Sequence, residues 1–439
     1  MSQAALSLLL AGLAYLLGNR PSPTVTLRDS ATVRGLSSGY VNELLGIPFA
    51  QPPTGQLRFQ LPQALPPSNT SFSATAYGPA YPQQAMETLD YLTFLNSSIV
   101  VTPSTEDCLT LNIIAPSDAT PESKLPVVVW VYGGGFEIGG TSGYNGPVIV
   151  EKAVSLGLPV IYVSINYRQE VKDAEVGHLG LQDQRLALYW VQKYINAFGG
   201  DTTKVTIWGE SAEAISAALH MVTNDDNPNG LFRAAFMQSG SPFPVGDISQ
   251  GQKYYDALVS ETRCSSASDT LQCLREVPYE TLLDAVNQSP RLFSYQSTVL
   301  AWQPRVDGVF LTDEPQKLVQ QGSVADVPFV TGTLFSFSTL NITTDAQFEE
   351  YLQIYRFPEA LPTTIQELME FYSANISQGS PFDTGVLNAI TPQFKRIAAF
   401  QGDVTFEALR RFLLQHRSGK QPLWTYVTKR LKTFPVLGS

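Results

Sequence analysis

The sequence predicts an α/β fold in which helices cover both faces of one central, mostly parallel sheet. The strongest sign is LPVVVWVY (125–132), an almost uninterrupted apolar run that is typical of a strand buried on both faces. From there to residue 239, strand and helix patterns alternate as they do in α/β domains. With 439 residues, 44% of them hydrophobic and 15% charged, the chain can bury a large core.

The first 20 residues are predicted to be a secretory signal peptide. Residues 4–17 are almost all apolar, too few to span a bilayer but enough for the apolar part of a signal peptide, although a basic N-terminal region is missing. Sequons for N-glycosylation agree with export and occur at Asn69, Asn96, Asn287, Asn341 and Asn375. We therefore expect a secreted glycoprotein without a stable membrane span, whose single domain covers residues 21–439.

The predicted elements follow the leader in a regular order. Alternating stretches at 24–35 and 40–50 predict a small N-terminal antiparallel sheet. Strands of the central sheet are expected at LTLNIIAP (109–116), LPVVVWVY, LPVIYVSINYR (158–168), VTIW (205–208), FRAAFMQS (232–239), VPFVTG (327–332) and PLWTYV (422–427). Helices are expected at 183–198, directly after Ser211, and over most of 252–293 and 346–419.

Charge and composition limit the partners. The formal net charge is −11, which argues against nucleic acid and anionic membranes because both bind basic surfaces. Three scattered histidines without suitable Cys/His spacing indicate no metal site, and no cofactor is indicated. The close pair Cys264 and Cys273 is expected to form a disulfide in an oxidising compartment, which leaves Cys108 over.

The stretch VTIWGESAEAISAA (205–218) supplies the candidate nucleophile. A β-branched strand runs into a sharp turn through Gly209, Glu210 and Ser211, and an Ala-rich helix follows. A serine at such a corner is exposed at the top of a sheet beside helix N-terminal amides, which suits nucleophilic attack. The alternative is a serine that merely starts a helix, because Glu213 stands where the pattern G-x-S-x-G has its second glycine.

A glycine loop, 133–135, comes directly after the strongest strand. Glycines at a strand end let the backbone approach a ligand and present amides to it, as an oxyanion hole requires. A phosphate-binding loop is the alternative, but no Lys-Ser/Thr follows and the spacing is not that of a dinucleotide site. Considered together with Ser211, the loop predicts an oxyanion hole formed by the amides of Gly134, Gly135 and Ala212.

Seven motifs occur in order along the chain: GIPFAQPPTGQLRF, EDCLTLNI, VWVYGGGF, INYR, GLQDQRLALYWV, FGGD and FRAAFMQSGSP. Through them the chain resembles the type B carboxylesterase family, which includes fungal lipases and cholinesterases, within the α/β-hydrolase superfamily. The resemblance implies an α/β-hydrolase fold. It also implies hydrolysis of a small-molecule or lipid ester through an acyl-serine at Ser211.

The resemblance also implies a catalytic acid and a catalytic histidine, and neither is found. The family's histidine follows a segment similar to PVLGS, within which this chain ends, so the domain is expected to be incomplete at its C-terminus. The family's glutamate lies in a turn after a strand similar to VPFVTG, but here residues 333–336 (TLFS) follow that strand directly. An ungapped comparison puts Phe337 at the acid position.

The chain's own three histidines all have structural interpretations. His178 precedes the nucleophile and lies just ahead of GLQDQ. His220 is nine residues from Ser211 along the predicted helix, which places it about 13 Å away, beyond hydrogen-bond reach. His416 ends a helix, where a cation complements the helix dipole.

Three further departures from the family pattern affect the packing and the activity expected of this sequence. Gln169 directly follows INYR, where the family has an apolar Gly-Phe-Leu stretch, and the family's partner for Cys108 is missing near Tyr81. Glu213 is expected to crowd the helix packing and to oppose a forming oxyanion by roughly 3 kcal/mol, about a hundredfold in rate.

Three hypotheses follow for the function of this sequence. The chain is an active secreted carboxylesterase or lipase whose sequence is incomplete, a non-catalytic cholinesterase-like protein used for binding or adhesion, or a decayed product that folds poorly. We expect weak or no esterase activity from this sequence. We favour the incomplete carboxylesterase over a selected binding protein, because the missing segments look excised.

Overall fold

The computed structural model describes residues 22–85, 101, 103–168, 178–223, 227–333 and 338–428. The predicted signal peptide, the sequon at Asn96, the junction at Gln169 and the acid position at Phe337 lie outside these residues. The described residues form twelve strands: β1 (Thr24–Thr26), β2 (Thr32–Arg34), β3 (Leu36–Ser38), β4 (Val41–Pro48), β5 (Ser71–Ser73), β6 (Thr110–Pro116), β7 (Leu125–Val131), β8 (Ile161–Ile165), β9 (Gly200–Glu210), β10 (Ala234–Gln238), β11 (Phe329–Thr333) and β12 (Leu423–Val427).

The helices of the described residues fall between and after the central strands. They are α1 (Gly146–Ser155), α2 (Leu179–Tyr194), α3 (Ala212–Val222), α4 (Gln252–Glu261), α5 (Thr270–Glu276), α6 (Tyr279–Val286), α7 (Pro315–Gln321), α8 (Asp345–Glu350), α9 (Pro362–Phe371), α10 (Phe394–Gly402) and α11 (Ala408–Arg417). None of the described helices is long and apolar enough to span a membrane.

Nine strands form the central sheet, in the order β12-β11-β10-β9-β7-β8-β6-β4-β3. The six strands from β12 to β8 in this order run parallel, whereas β6, β4 and β3 each pair antiparallel with the preceding strand. Strand β7 lies between β9 and β8, where Val129 pairs with Ile207 on one side and Val163 on the other. This central position explains its apolar sequence, because both faces of a parallel sheet are covered.

The small N-terminal sheet differs from the prediction. It contains β1, β2 and β5, and β2 pairs antiparallel with β1 but parallel with β5. The stretch 40–50, which we expected in this small sheet, instead forms β4 of the central sheet and pairs with β6. The alternation of apolar and polar residues along β4 indicates that one face of the strand is buried, but it does not identify the strand that β4 pairs with.

The carboxyl ends of the parallel strands place the candidate site. The glycine loop follows β7, Ser211 follows β9, and Ser239 follows β10, where its amide donates to the carbonyl oxygen of Gly332 in β11. In open α/β sheets, ligands bind outside this edge. The predicted nucleophile and oxyanion loop therefore share one edge of the sheet.

Candidate active site

Ser211 occupies a strained corner between β9 and α3. Its backbone has φ 57° and ψ −124°, a region that residues other than glycine rarely adopt. Its amide donates to the carbonyl oxygen of Gln238 at 2.8 Å, and its own carbonyl accepts from the amide of Ile215 at 3.1 Å. A strained strand-to-helix turn that holds a serine is the geometry of a nucleophile elbow.

Two glycines allow α3 to pack tightly beside this corner. A Cβ atom on Gly209 would lie 2.1 Å from the carbonyl oxygen of Glu213, and one on Gly240 would lie 2.6 Å from the amide nitrogen of Ile215. Both distances are far inside van der Waals contact, so a side chain at either position would push the helix away. The close approach of α3 to the sheet thus depends on Gly209 and Gly240.

The side chain of Glu213 is fully buried, and the Tyr167 hydroxyl donates a hydrogen bond to its Oε1. Tyr167 stacks on Tyr132 with 4.7 Å between the ring centroids. Burial, and next the charge of Glu213, raise the pKa of Tyr167 well above its usual 10.0, so this donor keeps its proton. The side chain expected to crowd this packing is therefore enclosed in the core beside Tyr167.

The glycine loop lies directly against the corner. A Cβ atom on Gly133 would lie 3.2 Å from the Cβ of Ser211. Gly134 and Gly135 have φ values of 149° and 67°, and the carbonyl oxygen of Gly134 accepts from the amide of Ile138 at 3.1 Å. Ala212 is the first residue of α3, so its amide has no intrahelical acceptor. The structure therefore brings the loop and the serine together, with helix amides at the same corner.

Glu210 is a residue of the site that sequence analysis missed. Its carboxyl lies beneath the glycine loop, since a Cβ atom on Gly133 would lie 2.3 Å from its Oε2. The residue as a whole is half-buried, but burial of the carboxyl raises its pKa from 4.5 to about 8. The carboxyl is thus neutral at pH 7. The sequence feature that could have identified Glu210 as a site residue is its position directly before Ser211.

We expect Glu210 to make the folded state less stable as the pH rises. Because its folded pKa lies above the unfolded value of 4.5, its contribution is complete below pH 4.5 and is lost as the pH rises through about 8. Relative to Glu210→Gln, the free energy of unfolding should fall by roughly 1 kcal/mol per pH unit in this window. Urea unfolding at pH 5, 6, 7 and 8 measures this.

The matched control for this experiment is Glu151→Gln on the exposed side of α1, whose stability difference from the wild type should not change with pH. If the curves of the wild type and Glu210→Gln stay parallel from pH 5 to pH 8, the pKa of Glu210 is not raised. Glu137 also has a pKa raised to about 8, chiefly by burial, so a residual slope should remain in Glu210→Gln.

His220 and His178 belong to a buried polar cluster under α3. His220 Nε2 lies 3.0 Å from Gln184 Oε1, and burial lowers its pKa to about 3, so the ring is neutral. His178 precedes α2 in a left-handed conformation, and its Nε2 lies 3.7 Å from Asp307 Oδ2. Both rings also contact Phe310. These contacts support the structural interpretation of the two histidines.

The third histidine, His416, lies far along the chain from Ser211, in α11. His416 Nδ1 lies 2.9 Å from the carbonyl oxygen of Phe412, within α11. Strand β11 ends at Thr333, and the following residues 334–337 lie outside the described residues. The described contacts therefore assign each histidine to another part of the fold.

The cysteines adopt the pairing that their spacing predicts. Cys264 and Cys273 form a disulfide between the end of α4 and α5. Cys108 is a free, fully buried thiol in the same core cluster as Tyr81, and burial raises its pKa well above 9.0. Such a thiol is unreactive.

Comparison with known proteins identifies the family and agrees with the fold. A family model described as the Carboxylesterase family matches residues 21–431. The chain is 43% identical to Lipase 2 of Diutina rugosa, over 95% of this chain and 82% of the relative. It is 41% identical to Secreted lipase 1 of Botryotinia fuckeliana, over 95% and 79% respectively.

Two further similarities are to a solved structure and to a protein described as inactive. The crystal structure of Aspergillus niger EstA matches with a TM-score of 0.80 and 28% identity, over 95% of this chain and 80% of the other, which confirms the α/β-hydrolase fold. The inactive carboxylesterase-like protein VdtD of Byssochlamys spectabilis is 31% identical, over 86% of this chain and 67% of that protein. From these similarities, the chain belongs to the carboxylesterase family.

Proposed function

We propose that this chain is a secreted carboxylic ester hydrolase in which Ser211 is the nucleophile and the amides of Gly134, Gly135 and Ala212 form the oxyanion hole, with turnover that is weak or absent. The observation that carries the proposal is the strained corner of Ser211 packed against the glycine loop. The substrate is a small-molecule or lipid ester, the chemistry that the names of the relatives indicate.

The chemistry of this site is limited by the missing proton acceptor. Attack of Ser211 Oγ on an ester carbonyl needs a base to take the hydroxyl proton, and the resulting oxyanion would be held by the loop and helix amides. The three histidines of the sequence are held elsewhere, and Glu210 is protonated at pH 7. Without a base and an acid, turnover should lie about ten-thousandfold to a millionfold below that of a full triad.

A non-catalytic role in binding or adhesion is the second candidate function. The absence of a catalytic base also favours a binding role, and one relative in the same family is described as inactive. Secretion is supported by the relative named as a secreted lipase and by the exposed sequons at Asn69, Asn341 and Asn375. Binding would use the site without forming an acyl-enzyme.

Steady-state hydrolysis of 4-nitrophenyl butyrate by the purified protein tests the proposal. We expect the wild type and Ser211→Ala to hydrolyse this ester at nearly the same very low rate. Turnover that is substantial in the wild type and lost in Ser211→Ala would contradict the predicted inactivity. A single-turnover burst in the wild type alone would identify Ser211 as acylatable and would argue against the purely binding role.

A further inference from the structure

Two buried histidines meet beneath α3, the helix that follows Ser211. His220 lies near the carboxyl end of α3 and is 2% exposed, and His178 directly precedes α2 and is 4% exposed. Both rings pack against the ring of Phe310, with 6.2 and 5.2 Å between the ring centroids. One aromatic side chain therefore joins a histidine of α3 to a histidine at the start of α2.

The polar contacts of the two rings connect α3 to its neighbours. His220 Nε2 lies 3.0 Å from Gln184 Oε1 of α2, and Gln184 Nε2 donates to Ser216 Oγ of α3 at 3.3 Å. Because an amide oxygen only accepts, the His220 ring donates from Nε2. His178 Nε2 lies 3.7 Å from Asp307 Oδ2. A neutral imidazole, with one N–H, is therefore sufficient for the contact between α3 and α2.

Asp307 organises the loop that carries Phe310. Its Oδ1 accepts from the amides of Val309, Phe310 and Leu311 at 3.0, 2.9 and 2.9 Å. This turn fixes Phe310, while the other carboxylate oxygen faces His178. We call His178, His220, Gln184, Asp307 and Phe310 the histidine cluster. The cluster joins α2, α3 and residues 305–311.

The charges around the histidine cluster disfavour protonation of His220. Arg185 is 5% exposed, and its positive charge acts on His220, as would a charge on His178. Asp307 faces His178 and favours its charged form, but burial opposes that form more strongly. Helix α7 also packs against α3, and its Lys317 side chain is 61% exposed. Both rings are therefore held neutral at pH 7.

We propose that the histidine cluster is an acid-sensitive latch that holds α3 in place at neutral pH and releases it in acid. A ring that gains a second proton becomes a buried cation, which is strongly disfavoured unless it is paired. Charged His178 and His220 would also repel each other and Arg185. Separation of α3 from α2 and from residues 305–311 would relieve this repulsion by admitting water. The latch concerns the position of α3 and does not require that Ser211 be acylated.

The direction of the pH dependence follows from the two rings. Burial lowers the pKa of His220 from 6.5 to about 3 and lowers that of His178 below 6.5. Because the folded pKa lies below the unfolded value, the closed latch is fully favoured above pH 6.5 and loses stability as the pH falls from 6.5 toward 3. At pH 4.5, two units below 6.5, His220 alone should favour opening by about a hundredfold.

Hydrogen exchange of the full chain, measured by mass spectrometry at pH 7.5 and 4.5 and corrected for the intrinsic exchange rates, tests the latch. We expect the amides of α3 and of residues 305–311 to lose protection by about tenfold or more at pH 4.5. The amides of β7 should lose much less. His220→Gln and His178→Asn should each retain more protection of α3 at pH 4.5, because neither new side chain is protonated. Asparagine also tolerates the left-handed conformation of residue 178, at φ 63°.

His416→Gln is the matched control, because His416 lies in α11 outside the histidine cluster, and it should respond to pH as the wild type does. Equal protection of α3 at both pH values in the wild type, or a loss in either cluster variant as large as in the wild type, would overturn the latch. A loss as large in β7 as in α3 would indicate general acid unfolding and would also overturn it. Ser211→Ala should keep the wild-type response, so failure of the latch is distinguishable from failure of the proposed hydrolase function.

Discussion

Replacing Arg168 by methionine is expected to lower the free energy of unfolding by about 3–5 kcal/mol. Arg168 and Asp183 form a buried ion pair in which the guanidinium donates twice to the carboxylate, at 2.7 and 2.9 Å. The same guanidinium donates to the carbonyl oxygen of Gln60 at 2.8 Å. Removing it leaves the Asp183 charge in the core with only the backbone amide of residue 168 as a donor.

Urea unfolding at pH 7, followed by circular dichroism, measures this effect. The control is Arg411→Met, since Arg411 is exposed and its loss should change stability by no more than about 0.5 kcal/mol. The double variant Arg168→Met/Asp183→Leu should recover most of the loss, because it removes the stranded charge. A loss below about 1 kcal/mol for Arg168→Met would show that Asp183 is solvated or protonated in the variant.

Gly209→Ala is expected to destabilise the protein by about 3 kcal/mol, at the upper end of the cost of overpacking. The new methyl group would lie 2.1 Å from the carbonyl oxygen of Glu213 and 2.7 Å from the amide nitrogen of Ala214. Both atoms belong to the backbone of the first turn of α3, which cannot move without breaking its contact with the sheet. The corner that holds Ser211 should therefore open.

Gly157→Ala is the matched control for this substitution. Gly157 has φ 70°, but a methyl group there meets nothing within 4 Å, so the cost should be only the backbone strain of about 1 kcal/mol. Thermal and urea unfolding of both variants give the comparison. If the two substitutions cost the same, steric conflict at the corner is not what makes Gly209 necessary.

The central sheet was predictable because its strands carry their own signal. Strands β6 and β8 are buried at every residue and β7 at four of its seven residues, so all three sequences are mostly apolar. The extent of β9 was less predictable. It begins at Gly200 rather than at Val205, because Gly200 pairs with Leu125 of β7, and the polar residues 201–204 lie at a break in the register before Val205 pairs with Val127.

The candidate site was predictable only in part. Ser211 and the glycine loop were identified because a strand-to-helix corner and a run of glycines are local patterns. The burial of Glu213 depends on Tyr167, which is 46 residues away along the chain. The hydrogen bond from the Gln84 amide to the carbonyl oxygen of Glu137 likewise joins two loops that are far apart in the sequence. Contacts of this kind form only in the folded chain between distant segments, so no local sequence pattern predicts them.

The backbone strain at Ser211 also bears on why position 211 holds a serine. Holding a residue at φ 57° and ψ −124° destabilises the folded state by about 1–3 kcal/mol. In an efficient hydrolase, the catalytic rate that the strained serine provides offsets this loss of stability. In a protein that does not hydrolyse esters, no gain in activity would offset this strain. Glycine, which adopts this conformation freely, would then be the more stable residue at position 211. A serine at this corner therefore argues that the position is kept for its hydroxyl and not for its backbone conformation.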